Sequence, residues 1–359
     1  MTWLKFISIL PVKSALSGYI GNYTAALDRE GYEFEINHGA VIIASGARES
    51  RPVEYQYGRH DMVLTQLELE DALRNNKIDL YGKKEIFMIQ CVGSRDEERP
   101  YCSRVCCNQA IKNAIILKEA CPGANVTILY RDIRSYGLNE ANYRRARKLG
   151  VRFARYDTGF KPEVAIDDGK LTARFCEPLL GEYVSSGADM VVLSSAIEPC
   201  VEENRALARL LKVPLNQEGF FLEAHAKLRP VDFATDGVYL CGMAHMPKNM
   251  KESITQGKAA AARAATVITK DRLEAGGSTA EVSEEFCTGC GTCENVCAYK
   301  AISVEEVKKR SGVEKKAVVN AALCKGCGTC AAACRCGAID VGGFSDRQVL
   351  NEIEHLLRM

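Results

Sequence analysis

The sequence has no excess of charge of either sign and no long hydrophobic run. Its 359 residues include 47 Lys and Arg against 46 Asp and Glu, which leaves a formal net charge of +1. This balance gives no electrostatic reason to expect a nucleic acid as a partner. No stretch of about 18 apolar residues occurs, so we expect no membrane-spanning helix and no direct membrane insertion. The apolar run at 3–10 is short and has no basic region before it, which predicts a core strand rather than a signal peptide.

The order of predicted elements is mixed α/β, but the G-x-G-x-x-G fingerprint of a dinucleotide-binding loop is missing. Apolar patterns predict a strand at 84–90, a helix at 108–120 and a strand at 125–130, which is the order of a Rossmann-like unit. The loop before the helix, CVGSRDEERPYCSRVCC at 91–107, has one glycine and four cysteines. Its side chains would obstruct the close approach of a pyrophosphate, so we expect no ordinary pyridine-nucleotide site here.

Cysteine is abundant, and its spacing indicates what most of the 17 cysteines do. An odd number excludes complete internal disulfide pairing, and the chain is far longer than a small disulfide scaffold. Two C-x2-C-x2-C-x3-C runs, at 287–297 and 324–334, have the pattern of two [4Fe–4S] clusters in which the fourth cysteine of each run binds the other cluster. The ligands predicted for the first cluster are Cys287, Cys290, Cys293 and Cys334. Those predicted for the second cluster are Cys324, Cys327, Cys330 and Cys297. Zinc sites and disulfides are the disfavoured alternatives.

The segment that carries the two runs departs from the usual pattern after each fourth cysteine. Ala298 and Arg335 stand where a proline is usual, and Cys336 is an additional thiol that we expect to be a bystander. Alternating residues at 302–307 and 313–320 predict a hairpin between the runs. The sequence GGST at 276–279 predicts a flexible linker before this segment.

Four further cysteines lie in the loop at 91–107, at the N terminus of the predicted helix. They are Cys91, Cys102, Cys106 and Cys107. The helix dipole would stabilise negative charge on their sulfurs. We interpret them as a third, non-standard iron–sulfur site in place of a pyridine-nucleotide site. A redox disulfide and inert buried cysteines remain the alternatives.

The remaining elements before the linker favour a flavin. A strand is predicted at 188–194, and a strand at 236–242 that ends in glycine is followed by a helix at about 249–269. In two-dinucleotide flavoproteins such a strand–glycine–helix sequence holds the flavin at the helix N terminus, and a turn like 44–47 contacts FAD. No G-x-G-x-x-G precedes Gly46, so we expect that a partner chain supplies the first βαβ unit, that the gene model begins late, or that FAD is held incompletely.

Several motifs resemble those of the A subunit of heterodisulfide reductase and its relatives in bacterial flavin-based electron-transfer complexes. They are SGYIGN (17–22), CVGSR with YCSRVCC and AIK (91–112), EAHAKLRPV (223–231), GVYLCGMAHMPKNMKESITQGKAAA (237–261), the doubled cysteine runs and GFSDRQ (343–348). The resemblance implies a thioredoxin-reductase-like FAD domain with an incomplete first Rossmann unit, followed by an α+β two-cluster bacterial-type ferredoxin domain. It also implies that the four cysteines of the loop hold a third [4Fe–4S] cluster.

The resemblance further implies the flavin contacts. Lys112 matches a lysine that lies near flavin N5 in the family, which gives it a catalytic role; a solvated helix lysine is the alternative. The implied FAD-binding residues are Gly46, Ala47, Lys112, Gly242, Met243, Lys248, Glu252 and Ser253. Of the five histidines, only His225 and His245 fall in family-like motifs.

The function implied is electron transfer, with flavin-based electron bifurcation, in a cytoplasmic complex of the heterodisulfide reductase type. The implied partners are B- and C-type subunits, a hydrogenase or formate dehydrogenase module, a small iron–sulfur subunit, and ferredoxin. The expected domains are an FAD domain at 1–275, a linker at 276–284, a ferredoxin domain at 285–341 and a tail at 342–359. Two alternatives are a non-bifurcating subunit that feeds a quinone-linked or acyl-CoA-type reductase, and a self-contained NAD(P)H-dependent flavin disulfide reductase. The missing fingerprint and the missing C-x-x-C in the FAD domain disfavour the latter.

Overall fold

The computed structural model describes residues 15–29, 32–80, 82, 84–177, 181–273, 278–309 and 312–358. The chain divides into two compact units: an α/β unit at 42–263, and a terminal unit formed by the residues before and after it. The strand predicted at 3–10 lies outside the described residues. The domain boundary expected at 275 stays a prediction, because 274–277 also lie outside them.

The strands and helices of the described residues are numbered in chain order. The strands are β1 (Ala15–Tyr19), β2 (Asn22–Arg29), β3 (Tyr32–His38), β4 (Val41–Ile43), β5 (Arg48–Glu49), β6 (Val63–Thr65), β7 (Glu85–Val92), β8 (Asn125–Tyr130), β9 (Arg152–Arg155), β10 (Glu163–Asp167), β11 (Lys170–Glu177), β12 (Glu182–Ala188), β13 (Met190–Ser195), β14 (Ile197–Glu198), β15 (Val238–Leu240), β16 (Ala280–Val282), β17 (Ile302–Lys309), β18 (Gly312–Val319) and β19 (Ile339–Val341). The helices are α1 (Gln66–Arg74), α2 (Cys106–Ala120), α3 (Glu140–Lys148), α4 (Val201–Leu211), α5 (Met250–Ile268), α6 (Thr292–Val296), α7 (Thr329–Ala333) and α8 (Asp346–Leu357).

A five-stranded sheet in the order β6-β13-β7-β8-β9 forms the centre of the α/β unit. Its neighbouring strands are all parallel. Continuous apolar runs such as MVVLSS in β13 are buried on both faces, as strands of a covered parallel sheet must be. The strands predicted at 84–90, 125–130 and 188–194 and the helix predicted at 108–120 are thereby confirmed, as β7, β8, β13 and α2.

Helices and a second sheet cover opposite faces of this parallel sheet. Ile111 and Ala114 of α2 pack against Met88 of β7 and against the residues of the neighbouring strands that point to the same face of the sheet. The residues between them in the strands, such as Phe87, pack instead with Phe175 and the antiparallel sheet β10-β11-β12. Because side chains alternate across a strand, one run of apolar residues supplies both cores.

The strand–glycine–helix sequence predicted at 236–269 is present. The buried strand β15 pairs with β4, and the Cys241 backbone N–H donates to the Ile43 carbonyl at 3.0 Å. A short 3-10 turn at Gly242–Ala244 and then α5 follow β15. This pairing brings the end of β15 next to the end of β4, after which the chain enters the turn at Gly46.

The N-terminal part of the terminal unit is an antiparallel sheet of the strands β1, β2 and β3. Gly18 lies in the left-handed region at φ +91°, and a Cβ there would lie 2.0 Å from the Asn22 carbonyl oxygen. The turn between β1 and β2 therefore requires glycine, which explains the first glycine of the SGYIGN motif. In 15–29 and 32–41, the described residues before β4, the chain forms these strands and no βαβ unit.

The C-terminal part of the terminal unit has the arrangement of a two-fold repeat. The strands β17 and β18 form the predicted hairpin, and β16 pairs with β19. Each cysteine run carries one short helix, α6 or α7, and a glycine in the left-handed conformation, Gly291 or Gly328, precedes each helix. The strand β16 begins at Ala280, inside the segment expected to be a linker, because its backbone pairs with β19.

No helix of the described residues combines the length and the apolar character that crossing a membrane requires.

Candidate functional site

The two cysteine runs present their sulfurs to backbone N–H groups in the same way. The Ala301 N–H donates to Cys297 Sγ at 3.2 Å, and the Ala338 N–H donates to Cys334 Sγ at 3.3 Å, each from four residues further along. Hydrogen bonds to the charged form of a group favour that form. Both fourth cysteines therefore have a sulfur that is contacted by a backbone N–H group.

The first cysteine of each run is likewise bonded by a strand. Cys287 Sγ accepts from the Ala317 N–H in β18 at 3.4 Å, and Cys324 Sγ accepts from the Ala280 N–H in β16 at 3.3 Å. Backbone N–H groups that point at cluster sulfurs are among the features that set the reduction potential of iron–sulfur proteins. The strands therefore do more than support the loops, since they supply polar contacts to the sulfurs.

One cavity of this region brings together cysteines from both runs. Its lining includes Cys324, Cys327 and Cys330 of the second run and Cys297 of the first. These are the four residues that spacing predicts for a single cluster. Cys297 is far along the chain from the others, so the crossing of the two runs is a property of the fold.

Glycines allow the runs to pack closely against neighbouring backbone. Gly289 and Gly326 occupy equivalent positions in the two runs, with φ of +69° and +62°. A Cβ added at Gly289 would lie 2.2 Å from the Lys315 carbonyl oxygen. A Cβ added at Gly326 would lie 2.1 Å from the Ser278 carbonyl oxygen. Lys315 lies in β18 and Ser278 lies two residues before β16, so in each run a glycine packs directly against backbone from outside that run.

The second cysteine of each run has different surroundings from the third, and the difference is the same in both runs. Hydrogen bonds from Thr292 and Thr329 lower the pKa of the exposed Cys290 and Cys327. Burial raises the pKa of Cys293, and it does the same for its counterpart in the second run. In the described ranges no three His, Cys, Asp or Glu side chains converge on a point where one metal ion would bind. A cubane differs from a single ion, because each of its thiolates binds a different iron.

The four cysteines of the loop at 91–107 lie together in the α/β unit. Burial raises the pKa of Cys91, and the charges of Cys107 and Cys102 raise it further. Cys106 is buried at the start of α2, and its thiol donates to the Cys107 sulfur, so the pKa of Cys107 falls and that of Cys106 rises. The charges of Cys102 and Cys107 thus act on Cys91 and Cys106, which is the proximity that a shared cluster requires.

A cation and two unusual backbone conformations accompany these thiols. Arg95 pairs with Asp132 at 2.7 Å, and its Nη1 lies 4.0 Å from Cys91 Sγ. Cys91 and Arg104 both have positive φ, of 62° and 58°. Such backbone costs of order 1–3 kcal/mol per residue and persists where the surroundings impose it. The Arg104 N–H donates to Cys102 Sγ at 3.3 Å, so one of the two strained residues directly contacts a sulfur.

Two of the predicted FAD-binding residues are glycines with open space beside them. Gly46 and Gly242 have φ of +78° and +68°, and no atom lies within 4 Å of the position that a Cβ would occupy. Ala47 and Met243 follow them directly, and Ser253 lies in the first turn of α5. A ligand could approach the backbone closely at both glycines, as binding of FAD requires.

A hydrogen-bonded network lies between the Gly242 turn and α5. His245 Nε2 pairs with Glu223 at 2.8 Å, and its Nδ1 lies 3.0 Å from the Lys248 ammonium. Lys248 also donates to Gln256 Oε1 at 2.6 Å. Burial lowers the pKa of Lys248 to about 8. The sequence motifs indicate His245 and Lys248 but not Gln256 or Glu223, although Glu223 begins the EAHAKLRPV motif.

Glu252 belongs to an adjacent group of polar side chains. It accepts hydrogen bonds from Arg104 at 2.8 Å and from the Tyr136 hydroxyl at 2.7 Å. A cavity of about 600 Å³ opens beside this group. Its lining includes Tyr101, Cys102, Arg104, Tyr136, Phe220 and Met246. Tyr101 begins the YCSRVCC motif, whereas Tyr136 and Phe220 are far apart along the chain and lie in none of the motifs, so the sequence does not indicate that these rings line one cavity.

Two predicted site residues lie elsewhere. Lys112 is half exposed on α2 and forms an ion pair with Glu70 of α1 at 2.6 Å. His225 is exposed, and its Nδ1 accepts from the backbone N–H groups of Lys227 and Leu228 in a local turn. A structural role accounts for these contacts, and the flavin roles of Lys112 and His225 stay predictions.

Comparison with known proteins gives matches of three kinds. The model of the 4Fe-4S dicluster domain family matches residues 286–338. The A subunit of the H(2):CoB-CoM heterodisulfide,ferredoxin reductase of Methanothermobacter thermautotrophicus is 41% identical over 296 residues, 78% of this chain and 44% of that protein. The second iron-sulfur A subunit of the CoB–CoM heterodisulfide reductase of Methanopyrus kandleri is 40% identical over 299 residues, 78% of this chain and 45% of that protein.

Among solved structures, the thioredoxin reductase of Lactococcus lactis is 18% identical, with a TM-score of 0.46 over 72% of this chain and 74% of that one. An HOCl-induced flavoprotein disulfide reductase of Escherichia coli is 12% identical, with a TM-score of 0.45 over 96% of this chain and 71% of that one.

The sequence matches to heterodisulfide reductase subunits determine the family. The predicted α/β class and the dicluster domain are confirmed by the described fold and by the match at 286–338. The chain spans less than half the length of the curated relatives that it matches. Over the matched 78% of its length, this chain belongs to the family of heterodisulfide reductase A subunits.

Proposed function

We propose that this chain is an electron-transfer iron–sulfur flavoprotein subunit of a cytoplasmic heterodisulfide-reductase-like complex. It passes electrons between FAD and partner subunits through three [4Fe–4S] clusters. The observation that carries the proposal is the cavity at which Cys297 of one run joins Cys324, Cys327 and Cys330 of the other. Each fourth thiolate crosses to the other run in bacterial-type two-cluster ferredoxins, whose function is to carry single electrons.

The third cluster is proposed for the loop at 91–107. The electrostatic interactions among Cys91, Cys102, Cys106 and Cys107 support a single cluster bound by all four. Arg95 beside Cys91 offsets part of the negative charge that a thiolate-bound cluster carries in a partly buried place. The Arg104 N–H would donate to one sulfur of the cluster.

The open glycine turns support FAD in the α/β unit. The backbone at Gly46 and Gly242 would admit the cofactor, and the aromatic-lined cavity beside Cys102 is where we expect its ring system. Bound FAD would supply the exchange between two-electron and one-electron chemistry. Arg104 and Tyr136 orient Glu252, while Lys248 holds a proton on an amine whose pKa of about 8 allows its release near neutral pH.

Bifurcation at the flavin, with ferredoxin as the low-potential acceptor, is part of the proposal. So are the partners: B- and C-type subunits, a hydrogenase or formate dehydrogenase module, a small iron–sulfur subunit, and another chain that completes the FAD-binding half. The support is homology, since the relatives are named as A subunits of heterodisulfide reductases and some of those names include ferredoxin.

The experiment measures iron, sulfide and flavin in the full chain isolated without oxygen, together with the electron paramagnetic resonance spectrum of the reduced protein. We expect about twelve irons per wild-type chain. Cys297→Ala and Cys327→Ala should remove the same signal although they lie in different runs, and Cys293→Ala should remove another. If each run held its own cluster, Cys297→Ala would resemble Cys293→Ala, and the proposed crossing would be wrong. Zinc without sulfide in the wild-type chain would refute the electron-transfer function.

A further inference from the structure

An additional thiol lies at the edge of the first cluster site. Cys336 is exposed, and its Sγ is 3.9 Å from Cys334 Sγ and 3.9 Å from the Thr288 hydroxyl. The charge of Cys290 also acts on it. Cys334 and Cys290 are both proposed ligands of the same cluster, so Cys336 faces a set of thiols rather than standing alone.

The two-fold repeat shows that this thiol is specific to one half. The segment Cys334-Arg335-Cys336 occupies the place of Cys297-Ala298-Tyr299 in the other run. Both fourth cysteines accept an N–H from the residue four positions later, so the backbone is alike in the two halves. The fourth cysteine Cys334 therefore has a second thiol two residues later, whereas Cys297 has the phenol of Tyr299 at the equivalent position.

We propose that Cys336 is an alternative fourth ligand, exchangeable with Cys334, for the [4Fe–4S] cluster held by Cys287, Cys290 and Cys293. The inference rests on the proposed function, because it requires the cluster. In the exchange, the iron–sulfur bond to Cys334 breaks and one to Cys336 forms. The proton of the Cys336 thiol passes to the Cys334 thiolate, and no atom changes its oxidation state.

The two ligation states differ in ways that affect a cluster. Cys334 Sγ accepts the Ala338 N–H at 3.3 Å, whereas Cys336 is exposed and adjoins the Thr288 hydroxyl. Hydrogen bonds to the sulfurs and solvent exposure are both determinants of cluster potential. The exchange would therefore give one cluster two reduction potentials and two magnetic resonance signatures.

The test compares variants of the full chain isolated without oxygen. Cys334→Ala should keep the iron content of the wild type and shift the signal of one cluster, whereas Cys297→Ala should lose about four irons. The double variant Cys334→Ala with Cys336→Ala should lose the same amount as Cys297→Ala. Adding Tyr299→Cys to Cys297→Ala should restore iron, because it transfers the neighbouring thiol to the other half. An unchanged signal of the second cluster in Cys334→Ala shows that the module has folded.

Loss of about four irons from Cys334→Ala alone would overturn the inference, as would full iron retention in the double variant. Alkylation of the wild-type chain decides the matter if the variants do not accumulate. Exchange predicts that both Cys334 and Cys336 are partly labelled in cluster-loaded protein, whereas a bystander thiol would be fully labelled beside a fully protected Cys334. A wild-type chain without iron would instead refute the proposed function itself.

Discussion

A single added methyl group should be damaging at Gly326, because the space for it is filled by backbone. A Cβ there would lie 2.1 Å from the Ser278 carbonyl oxygen, and the residue has φ of +62°. We expect Gly326→Ala to lower the free energy of unfolding of the cluster-loaded chain by more than the roughly 1–2 kcal/mol that left-handed backbone alone costs. Guanidinium titration, followed by loss of cluster absorbance, measures the change.

Gly328 is the control for the Gly326 substitution. It has φ of +77°, yet nothing lies within 4 Å of its Cβ position. Gly328→Ala therefore carries the backbone strain without the clash. Equal loss of stability in the two alanine variants would show that the packing against Ser278 does not limit this turn.

The buried lysine at 248 should make stability depend on pH in a defined direction. Lys248 is 6% exposed, and burial lowers its pKa from 10.5 to about 8 in the folded chain. Between these values the unfolded chain binds more protons, so the free energy of unfolding rises with pH. Relative to Lys248→Met, the wild type should gain on the order of 1–3 kcal/mol between about pH 7.5 and pH 10. Thermal unfolding of the two proteins across this range measures the gain.

Lys251 provides the comparison for Lys248, because it is an exposed lysine at the start of the same helix. Lys251→Met therefore removes a lysine without emptying a buried site. A Lys248→Met difference that changes with pH no more than the Lys251→Met difference does would contradict the assignment of the low pKa to the buried amine.

At the scale of elements, we expect the proposed third cluster to depend on the cysteines at the start of α2. Cys107→Ala removes one of the four sulfurs of the loop and should cost about four irons per chain and one magnetic resonance signal. Cys121→Ala is the matched control, because Cys121 ends the same helix and its thiol meets only the Leu80 carbonyl among the hydrogen bonds described. A wild-type chain with about eight irons, or a Cys107→Ala chain with unchanged iron, would leave the loop without a cluster.

The elements that the sequence predicts well are those whose own residues determine them. MVVLSS in β13 and NVTILY in β8 are mainly apolar and are buried along most of their length, and the hairpin of β17 and β18 lies between the two cysteine runs. The sequence does not predict the sheet β10-β11-β12, because its strands mix polar and apolar residues and their buried side chains pack against Phe87 of another sheet. Local pattern cannot reveal an element that another element stabilises.

The candidate site residues, like the strands and helices, can be predicted where the local sequence determines them. Cysteine spacing indicates which sulfurs belong together, because three of the four ligands of each predicted dicluster site lie in one short stretch of chain and the fourth has a fixed place in the other run. Besides the nearby Lys248, the partners of His245 are a glutamate 22 residues earlier and Gln256, eleven residues later on α5. Only folding brings them together, so the buried network could be found only in the structure.

At the scale of the whole molecule, we expect the loop at 91–107 to limit which electron donors the chain accepts. In an ordinary dinucleotide-binding unit, glycines after the first strand let the pyrophosphate reach the helix N terminus. Here β7 instead carries Cys91 next to its last residue, and α2 begins with the buried Cys106 and Cys107. The same position is therefore occupied by thiols, and we expect them to block the usual phosphate contacts.

We therefore expect that NADH and NADPH do not reduce the isolated chain. Dithionite should bleach its iron–sulfur absorbance without oxygen, whereas either nicotinamide nucleotide should leave the spectrum unchanged over the same period, because the thiols at the start of α2 keep a pyrophosphate from its backbone N–H groups. Dithionite serves as the control that the centres are intact. Bleaching by NADPH would show that a nucleotide binds elsewhere in the chain, and it would restore the self-contained reductase as the better account of the molecule.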